Sequence, residues 1–356
     1  MSPTDKQLRV LIVRLGAMGD ILHALPAVTA LRQAHPEWFI GWAVEPQWRE
    51  LLCADDCSVR GPQMPVVDAI HIVTAKQWAR APFSPTTLRD IRRVRRELRE
   101  SNYDICVDLQ GAVRSAVIAR WALASRIIGE DKPREPVARW FFSERVKTQG
   151  VHVIEQAIEV ANAVAHESLP VVLPSLPTIP TTSTKKTAIT EPFVLVSPGA
   201  GWGAKRWPVE RYAAVARQLH SAGYKVVVNS GPGEESIAEE LVRLSERAAT
   251  ASQPILTELI AVTRRASLVI AGDTGPLHLA SALGKPVVGI FGPTDPARNG
   301  PFGGNFRVLR HPESRRDHAR HAAPEAGLLT ITPEAVFDAA MELLPQSLPE
   351  SLKETR

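Results

Sequence analysis

The sequence predicts an α/β protein built from two doubly wound parallel-sheet domains, and three observations predict it. Short runs rich in β-branched residues alternate with longer stretches of helical periodicity, the pattern of parallel strands joined by crossover helices. The alternation stops once, across LPVVLPSLPTIPTTSTKKTAITEP between Leu169 and Pro192, and then restarts. The length of 356 residues, at ~150 residues per domain, is enough for about two domains with ordinary hydrophobic cores.

In the first half the strand candidates are Leu8–Val13, Phe39–Val44, Ala69–Val73, Asp104–Leu109 and Arg126–Ile128. Helical patterns lie between them at Ile21–Ala34, Thr86–Ser101 and Val113–Ala124. The segment 169–192 carries five prolines and a Thr/Ser cluster that offers neither backbone donors nor a packed face, so it reads as an interdomain linker. Beyond it the strands are Phe193–Ser197, Lys225–Asn229, Leu268–Ala271 and Val287–Phe291, with helices near Val209–Ala222, Glu234–Ala248, Leu256–Arg265 and Pro276–Leu283. A last helix, Pro333–Leu344, starts with Thr332 as N-cap and Pro333 at the first helical position, and a polar tail follows Pro345. The predicted organisation is therefore an N-terminal domain 1–168, a linker 169–192, a C-terminal domain 193–330, and a terminal helix and tail 331–356.

Composition narrows the function classes. Hydrophobic residues make up 44% and charged residues 22%, too apolar for a disordered chain. Net charge is only +4, which argues against a protein that coats nucleic acid. The charge is unevenly spread: residues 76–147 hold 16 basic and 9 acidic residues, a local +7, leaving −3 for the rest. Three cysteines, Cys53, Cys57 and Cys106, lack metal-ligand spacing and fit a reducing compartment. No run of ~20 apolar residues is present to span a bilayer, and the run Leu8–Val13 is too short for a signal peptide.

Doubly wound domains place ligands outside the carboxyl ends of their strands, in a cleft when two such domains face each other. The strongest motifs lie at strand ends. Val13-Arg14-Leu15-Gly16-Ala17-Met18-Gly19-Asp20 leaves the first strand through two glycines and places an acid at a helix start. Asp20 there is either an N-cap that needs no substrate or a functional carboxylate; the spacing matches neither a GxGxxG fingerprint nor a Walker loop. Ala271-Gly272-Asp273-Thr274-Gly275-Pro276-Leu277-His278 repeats the geometry in the second domain. Its backbone N–H groups and helix N-terminus suit a diphosphate, with His278 as a donor or as a partner of Asp273; a tight turn with a satisfied histidine is the other reading. Ser197-Pro198-Gly199-Ala200-Gly201-Trp202-Gly203-Ala204-Lys205-Arg206-Trp207-Pro208 is a glycine loop with Lys205 as a point charge for pyrophosphate. Gly231-Pro232-Gly233-Glu234-Glu235 ends the next strand with carboxylates that suit ribose hydroxyls or simply favour a helix start.

The basic stretch contains Arg89, Arg92, Arg93, Arg95, Arg96 and Arg99 at helical spacing, where a solvated face with Glu97 and Glu100 and an anion surface are both open readings. Arg114, Arg120, Arg126, Arg134, Arg139, Arg145 and Lys147 follow, interleaved with Trp140, Phe141 and Phe142, which suits an anionic, amphiphilic ligand better.

Taken together, LRVLIVRLGAMGDILHALPAVTALR, SPGAGWGAKRWPVERY and GDTGPLHLASALGKPVVGIFGPTDPARNGPFG, in this order, resemble the lipopolysaccharide heptosyltransferases, glycosyltransferase family 9. The resemblance implies the GT-B fold of two facing Rossmann-like domains. It implies inverting transfer of heptose from ADP-heptose to an acceptor sugar, with no metal and no bound cofactor. It assigns Asp20 as general base, consistent with a displacement that needs a carboxylate to take the attacking hydroxyl's proton. It assigns the donor to Lys205, Glu235 (Glu234 as the alternative), Asp273, Thr274, Gly275, Leu277 and His278, with Gly201 of the same glycine loop expected beside them, and the acceptor is expected at Gly19, Arg114, Arg134 and Arg139. One departure is visible: Ala200-Gly201 stands where members carry a Ser/Thr pair, so backbone N–H groups or water must replace two hydroxyls.

The segments RAPFSPTTLRDIRRVRRELRESNYDICVDLQGAVRSA and REPVARWFFSERVK are most similar to the subgroup acting on Kdo-bearing lipid A. An anionic acceptor at a leaflet fits the local +7 and implies peripheral contact with the cytoplasmic face of the inner membrane. The subgroup that adds heptose to heptose, other NDP-sugar transferases, and an NDP-sugar epimerase of the same fold are the alternatives.

Overall fold

The structure, a computed structural model, describes residues 7–54, 57–179, 192–316 and 321–345. The chain divides into two compact units, 1–179 and 180–356. Each is a six-stranded, all-parallel sheet with helices.

In the first unit the elements are β1 (Arg9–Val13), α1 (Met18–Ala34), β2 (Phe39–Val44), β3 (Ala69–Ile72), α2 (Ala75–Arg80), α3 (Pro85–Glu100), β4 (Ile105–Asp108), α4 (Val113–Trp121), β5 (Arg126–Glu130), β6 (Glu144–Val146) and α5 (Val153–Ala165). Strand order is β3-β2-β1-β4-β5-β6. The chain thus runs outward from β1 to β3 and crosses back to β4 beside β1, which makes the carboxyl ends of β1 and β4 the point where the winding reverses. Val13 sits in register with Ala43 on one side and Asp108 on the other. Val10 to Val13 are fully buried, as a central parallel strand covered on both faces requires. Helix α1 is buried along nearly its whole length from Ile21 to Arg32 and packs on α5, and it continues through Pro26. Helix α3 is strongly amphipathic: Val94 and Leu98 enter the core while its arginines face outward, and Ser84 caps its start by accepting from the Thr87 N–H at 3.1 Å.

The second unit contains β7 (Phe193–Ser197), α6 (Val209–Ser221), β8 (Lys225–Asn229), α7 (Glu235–Leu244), β9 (Ala249–Ser252), α8 (Leu256–Arg265), β10 (Leu268–Gly272), α9 (Gly275–Ala282), β11 (Val287–Ile290), α10 (Pro296–Asn299), β12 (Phe306–Leu309) and α11 (Pro333–Leu343). Its order, β12-β11-β10-β7-β8-β9, again reverses beside the first strand, at β7 and β10. Thr332 caps α11 by accepting from the Ala335 N–H at 3.2 Å, as the sequence predicts. Val336, Ala339 and Ala340 of that helix belong to the same core as β7, β8 and α6.

The predicted strands and helices form within one to four residues of their expected bounds. The sequence assigns no element to β6, β9 and β12; these edge strands are short and mostly exposed or half-exposed, so their conformation comes from pairing with β5, β8 and β11 rather than from an apolar run. Nor does the sequence assign helices α2, α5 and α10. The proline-rich segment behaves differently in its first half than a free linker: Leu169 and Leu176 are buried, the Ser175 N–H donates to Thr29 Oγ1 at 3.1 Å, and the Thr178 N–H donates to Pro62 O at 2.8 Å. Residues 180–191, the rest of the expected linker, lie outside the described residues. Cys53 and Cys57, read from sequence as fitting a reducing compartment, are joined as a disulfide, and Cys106 is a buried thiol. No helix among the described residues is long and apolar enough to cross a membrane.

Candidate active site

The motif after β1 is moored on both sides. The Arg14 N–H donates to Ala43 O at 3.3 Å, and the Trp42 indole N–H donates to Arg14 O at 3.0 Å. The Leu15 N–H donates to Gln110 Oε1 at 2.8 Å, while Leu15 O accepts from the Glu45 N–H at 3.0 Å. Gly16 has φ +154°, and a Cβ there would lie 2.7 Å from the Trp48 indole nitrogen, so both backbone and space require glycine. Asp20 is not the N-cap. Ala17 holds that position, and Asp20, three residues on, reaches back so that its Oδ2 accepts from the Ala17 N–H at 2.9 Å. Its Oδ1 pairs with Arg14 Nη2 at 2.9 Å, and the side chain remains 40% exposed. The carboxylate is thus available to a ligand as well as to its helix, and Gly19 beside it is half-buried.

At the end of β4, Asp108 accepts from the N–H groups of Gln110 and Gly111 at 2.8 and 2.9 Å and from the Ser115 hydroxyl. Burial pushes its carboxyl up to about 6 against those hydrogen bonds. This turn fixes Gln110 under the Leu15 N–H. Sequence reading missed it: an acid ending an apolar strand is visible, but its partnership with the first motif requires the strand order.

The expected acceptor residues come from neighbouring strand ends. Arg114 stands exposed in the first turn of α4, and Arg134 stands exposed after β5; neither makes an ion pair with a described residue. The Arg134 backbone lies so close to Gly111 that a Cβ there would be 2.9 Å from its nitrogen. Arg139 is partly engaged, with Nη2 3.3 Å from Asp131 Oδ1. Other cations are occupied. Arg93 is held by Asp90 and Glu97, which is the solvated-face reading of that helix, whereas Arg126, expected with the arginines that suit an anionic ligand, is instead engaged by two hydrogen bonds to Glu144 across the β5–β6 pair.

In the second unit the loops after β7 and β10 meet. Lys205 Nζ pairs with Asp273 Oδ2, and His278 Nε2 lies 3.0 Å from Asp273 Oδ1. Burial alone would push the Asp273 carboxyl up, yet the hydrogen bond and charge of His278 and the Lys205 ammonium hold it well below the usual carboxylate range. The Lys205 ammonium also sits over the Trp202 ring, 4.4 Å from its centroid. Thr274 is the N-cap of α9, with Gly275 and Pro276 in the first turn. The Leu277 side chain is fully buried, so only its backbone N–H is offered at this helix start. Gly201 is open, with nothing within 4 Å of a Cβ built on it, whereas a Cβ on Gly203 would lie 1.6 Å from Ala322 O. The Ala204 N–H donates to His321 O at 3.0 Å, which pins the loop from below.

The two glutamates after β8 divide. Glu234 lies against Gly199, where a Cβ would meet its carboxylate at 2.1 Å, and it accepts from the Gly231 N–H at 3.1 Å. Glu235 accepts from the Gly233 N–H at 3.1 Å and from Gln253 Nε2 at 2.5 Å, and its own and the Gly233 backbone N–H groups lower its carboxyl. Among the described residues no group of three or more His, Cys, Asp or Glu is placed to hold a metal ion.

Residues 91–327 match the model of glycosyltransferase family 9 (heptosyltransferase). The lipopolysaccharide heptosyltransferase 1 of Escherichia coli (strain K12) is 28% identical over 358 residues, covering 94% of this chain and all of that protein. The lipopolysaccharide heptosyltransferase 1 of Pseudomonas aeruginosa is 28% identical over 305 residues, covering 83% of this chain and 82% of that protein. Among solved structures, the E. coli heptosyltransferase WaaC with ADP superposes with a TM-score of 0.79 at 26% identity, over 94% of this chain and 100% of that one. The two doubly wound sheets, with their paired motifs at the points of reversal, are thus a GT-B glycosyltransferase fold, and the chain belongs to glycosyltransferase family 9, the heptosyltransferases.

Proposed function

We propose that this glycosyltransferase transfers heptose from ADP-heptose to the Kdo-bearing inner core of lipid A, with inversion at the anomeric carbon and without a metal. The observation that carries the donor reading is the Lys205–Asp273–His278 cluster beside the free start of α9, in a chain 26% identical to a heptosyltransferase solved with ADP and with ADP-2-deoxy-2-fluoro heptose. A helix N-terminus and an ammonium group favour a diphosphate, the leaving group of this reaction.

In the proposed step the acceptor hydroxyl oxygen attacks the anomeric carbon while its proton passes to the Asp20 carboxylate. The bond from that carbon to the diphosphate oxygen breaks and its electron pair leaves with ADP. Lys205 and the N–H groups of Thr274, Gly275 and Leu277 stabilise the charge that builds on the leaving oxygen. Glu235 binds the nucleoside ribose. Gly19, Arg114, Arg134 and Arg139 bind the anionic acceptor, and the +7 of residues 76–147 draws the enzyme to the anionic cytoplasmic face of the inner membrane as a peripheral protein.

The test is ADP release from ADP-heptose with Kdo-lipid A. Asp20→Ala is expected to lose ~10²–10⁴-fold in kcat, the usual worth of a general base. Full turnover by that variant refutes the assignment of the base. ADP release that does not depend on acceptor points instead to an epimerase or hydrolase, and equal use of a heptosylated acceptor points to the heptose-to-heptose reaction.

A further inference from the structure

The role proposed for Asp20 makes its orientation a matter of chemistry, and one side chain outside the set assigned to the reaction, Arg14, is bonded to its carboxylate. Arg14 follows β1 directly, at a point where the backbone cannot drift: its own N–H and C=O are tied to Ala43 O and the Trp42 indole, and Leu15 is tied to Gln110 and Glu45. Its side chain is 15% exposed. The guanidinium donates through Nη1 to Leu109 O at the end of β4 and through Nη2 to Asp20 Oδ1. The charge of Arg14 also acts on the buried carboxylate of Asp108 at the end of β4, favouring its ionised form. Three adjacent strands therefore fix one planar cation, and the cation fixes one oxygen of Asp20; the Ala17 N–H fixes the other.

We propose that Arg14 is the positioning residue of the general base: it holds the Asp20 carboxylate in one rotamer, with the lone pairs not used by Arg14 and Ala17 turned to the acceptor hydroxyl. The proposal rests on the reading of Asp20 as base. Arg14 serves the fold through its hydrogen bond to Leu109 O, but its bond to the 40% exposed Asp20 carboxylate contributes little to stability. What that bond fixes is orientation, and an ångström of misplacement at a reacting group costs ~10²-fold in rate. Arginine suits the task better than lysine, since a planar fork spans two acceptors at once and an ammonium is a point charge.

The experiment is a double-mutant cycle in the full-length enzyme, with ADP-heptose and Kdo-lipid A. Arg14→Met is expected to lower kcat by ~10–10²-fold with both KM values changed less than about threefold, and Arg14→Lys is expected to recover part of the loss. In an Asp20→Asn background, Arg14→Met is expected to change kcat less than about twofold, because there is no base left to orient. Melting temperature and ADP affinity are read on every variant; if Arg14→Met does not fold, Arg14→Lys carries the cycle, and its loss is likewise expected to vanish in the Asp20→Asn background. An equal loss from either substitution in both backgrounds overturns the proposal in favour of a structural role. A raised acceptor KM with kcat intact overturns it in favour of direct acceptor binding. Full turnover by Asp20→Asn alone refutes the base itself, a result distinct from either of these.

Discussion

Lys205→Met separates what the Lys205–Asp273 pair does for folding from what it does for the donor. Both side chains are nearly buried, at 11% and 6% exposure, so solvent screens the pair little. Removing one partner of a buried pair costs ~3–5 kcal/mol because the other charge is left uncompensated. Asp273 keeps His278 at 3.0 Å, which places the expected cost near the lower end, about 3 kcal/mol. At ~2–4 °C per kcal/mol for a domain of this size, thermal unfolding should show the second unit melting ~6–12 °C lower. Asp273→Asn added to Lys205→Met removes the stranded charge and should recover most of that loss. ADP binding behaves otherwise: the ammonium-to-phosphate hydrogen bond, worth ~1.5–3 kcal/mol, is gone in both variants, so calorimetry should find affinity ~10–150-fold weaker in each. A Lys205→Met protein that melts with the wild type, or a double variant less stable than the single one, refutes this account of the buried pair.

Two further outcomes follow from the same geometry. Gly203→Ala puts a methyl group 1.6 Å from the Ala322 carbonyl oxygen, a backbone atom that cannot rotate away, so the loop carrying Lys205 must shift. An overpacking cost of ~1–3 kcal/mol and at least ~10-fold weaker ADP binding are expected, and unchanged affinity by calorimetry refutes the tight approach. Asp108, with its carboxyl raised to about 6, is protonated in the fold at a pH where the unfolded chain has already ionised it. Its contribution is therefore full below pH ~4 and is lost as pH rises to about 6, a change of ~3 kcal/mol. Denaturant unfolding of wild type measured against Asp108→Asn should show wild type gaining that amount from pH 7.5 to 4, and a flat difference refutes the buried, desolvated carboxyl.

The fold was legible because its core strands are written as continuous apolar runs. Val10 to Val13, Val194 to Val196 and Leu268 to Ala271 are buried on both faces and admit no polar alternation. The edge strands were not legible, since ERV, ATAS and FRVL have no period of their own and exist by pairing. The loops that carry Asp20, Lys205 and Asp273 showed in the sequence as glycines and charges at strand ends. Which charges serve a ligand did not. Arg126 and Arg134 are alike in sequence, yet one is held by two hydrogen bonds to Glu144 and the other makes no ion pair among the described residues.

Local chemistry was thus determined by the sequence alone: the apolar runs, the Thr332 cap, the glycine loops and the acid after the first strand all follow from residue type and spacing. The tertiary structure decided partnerships. Asp20 is moored by Arg14 rather than being an N-cap, and Leu15 is held by Glu45 at the end of β2. Leu15 also meets Gln110, and Lys205 is locked to Asp273, because parallel winding brings the ends of β1 and β4, and of β7 and β10, side by side. Residues 68 positions apart or more are joined there by hydrogen bonds that no local period encodes.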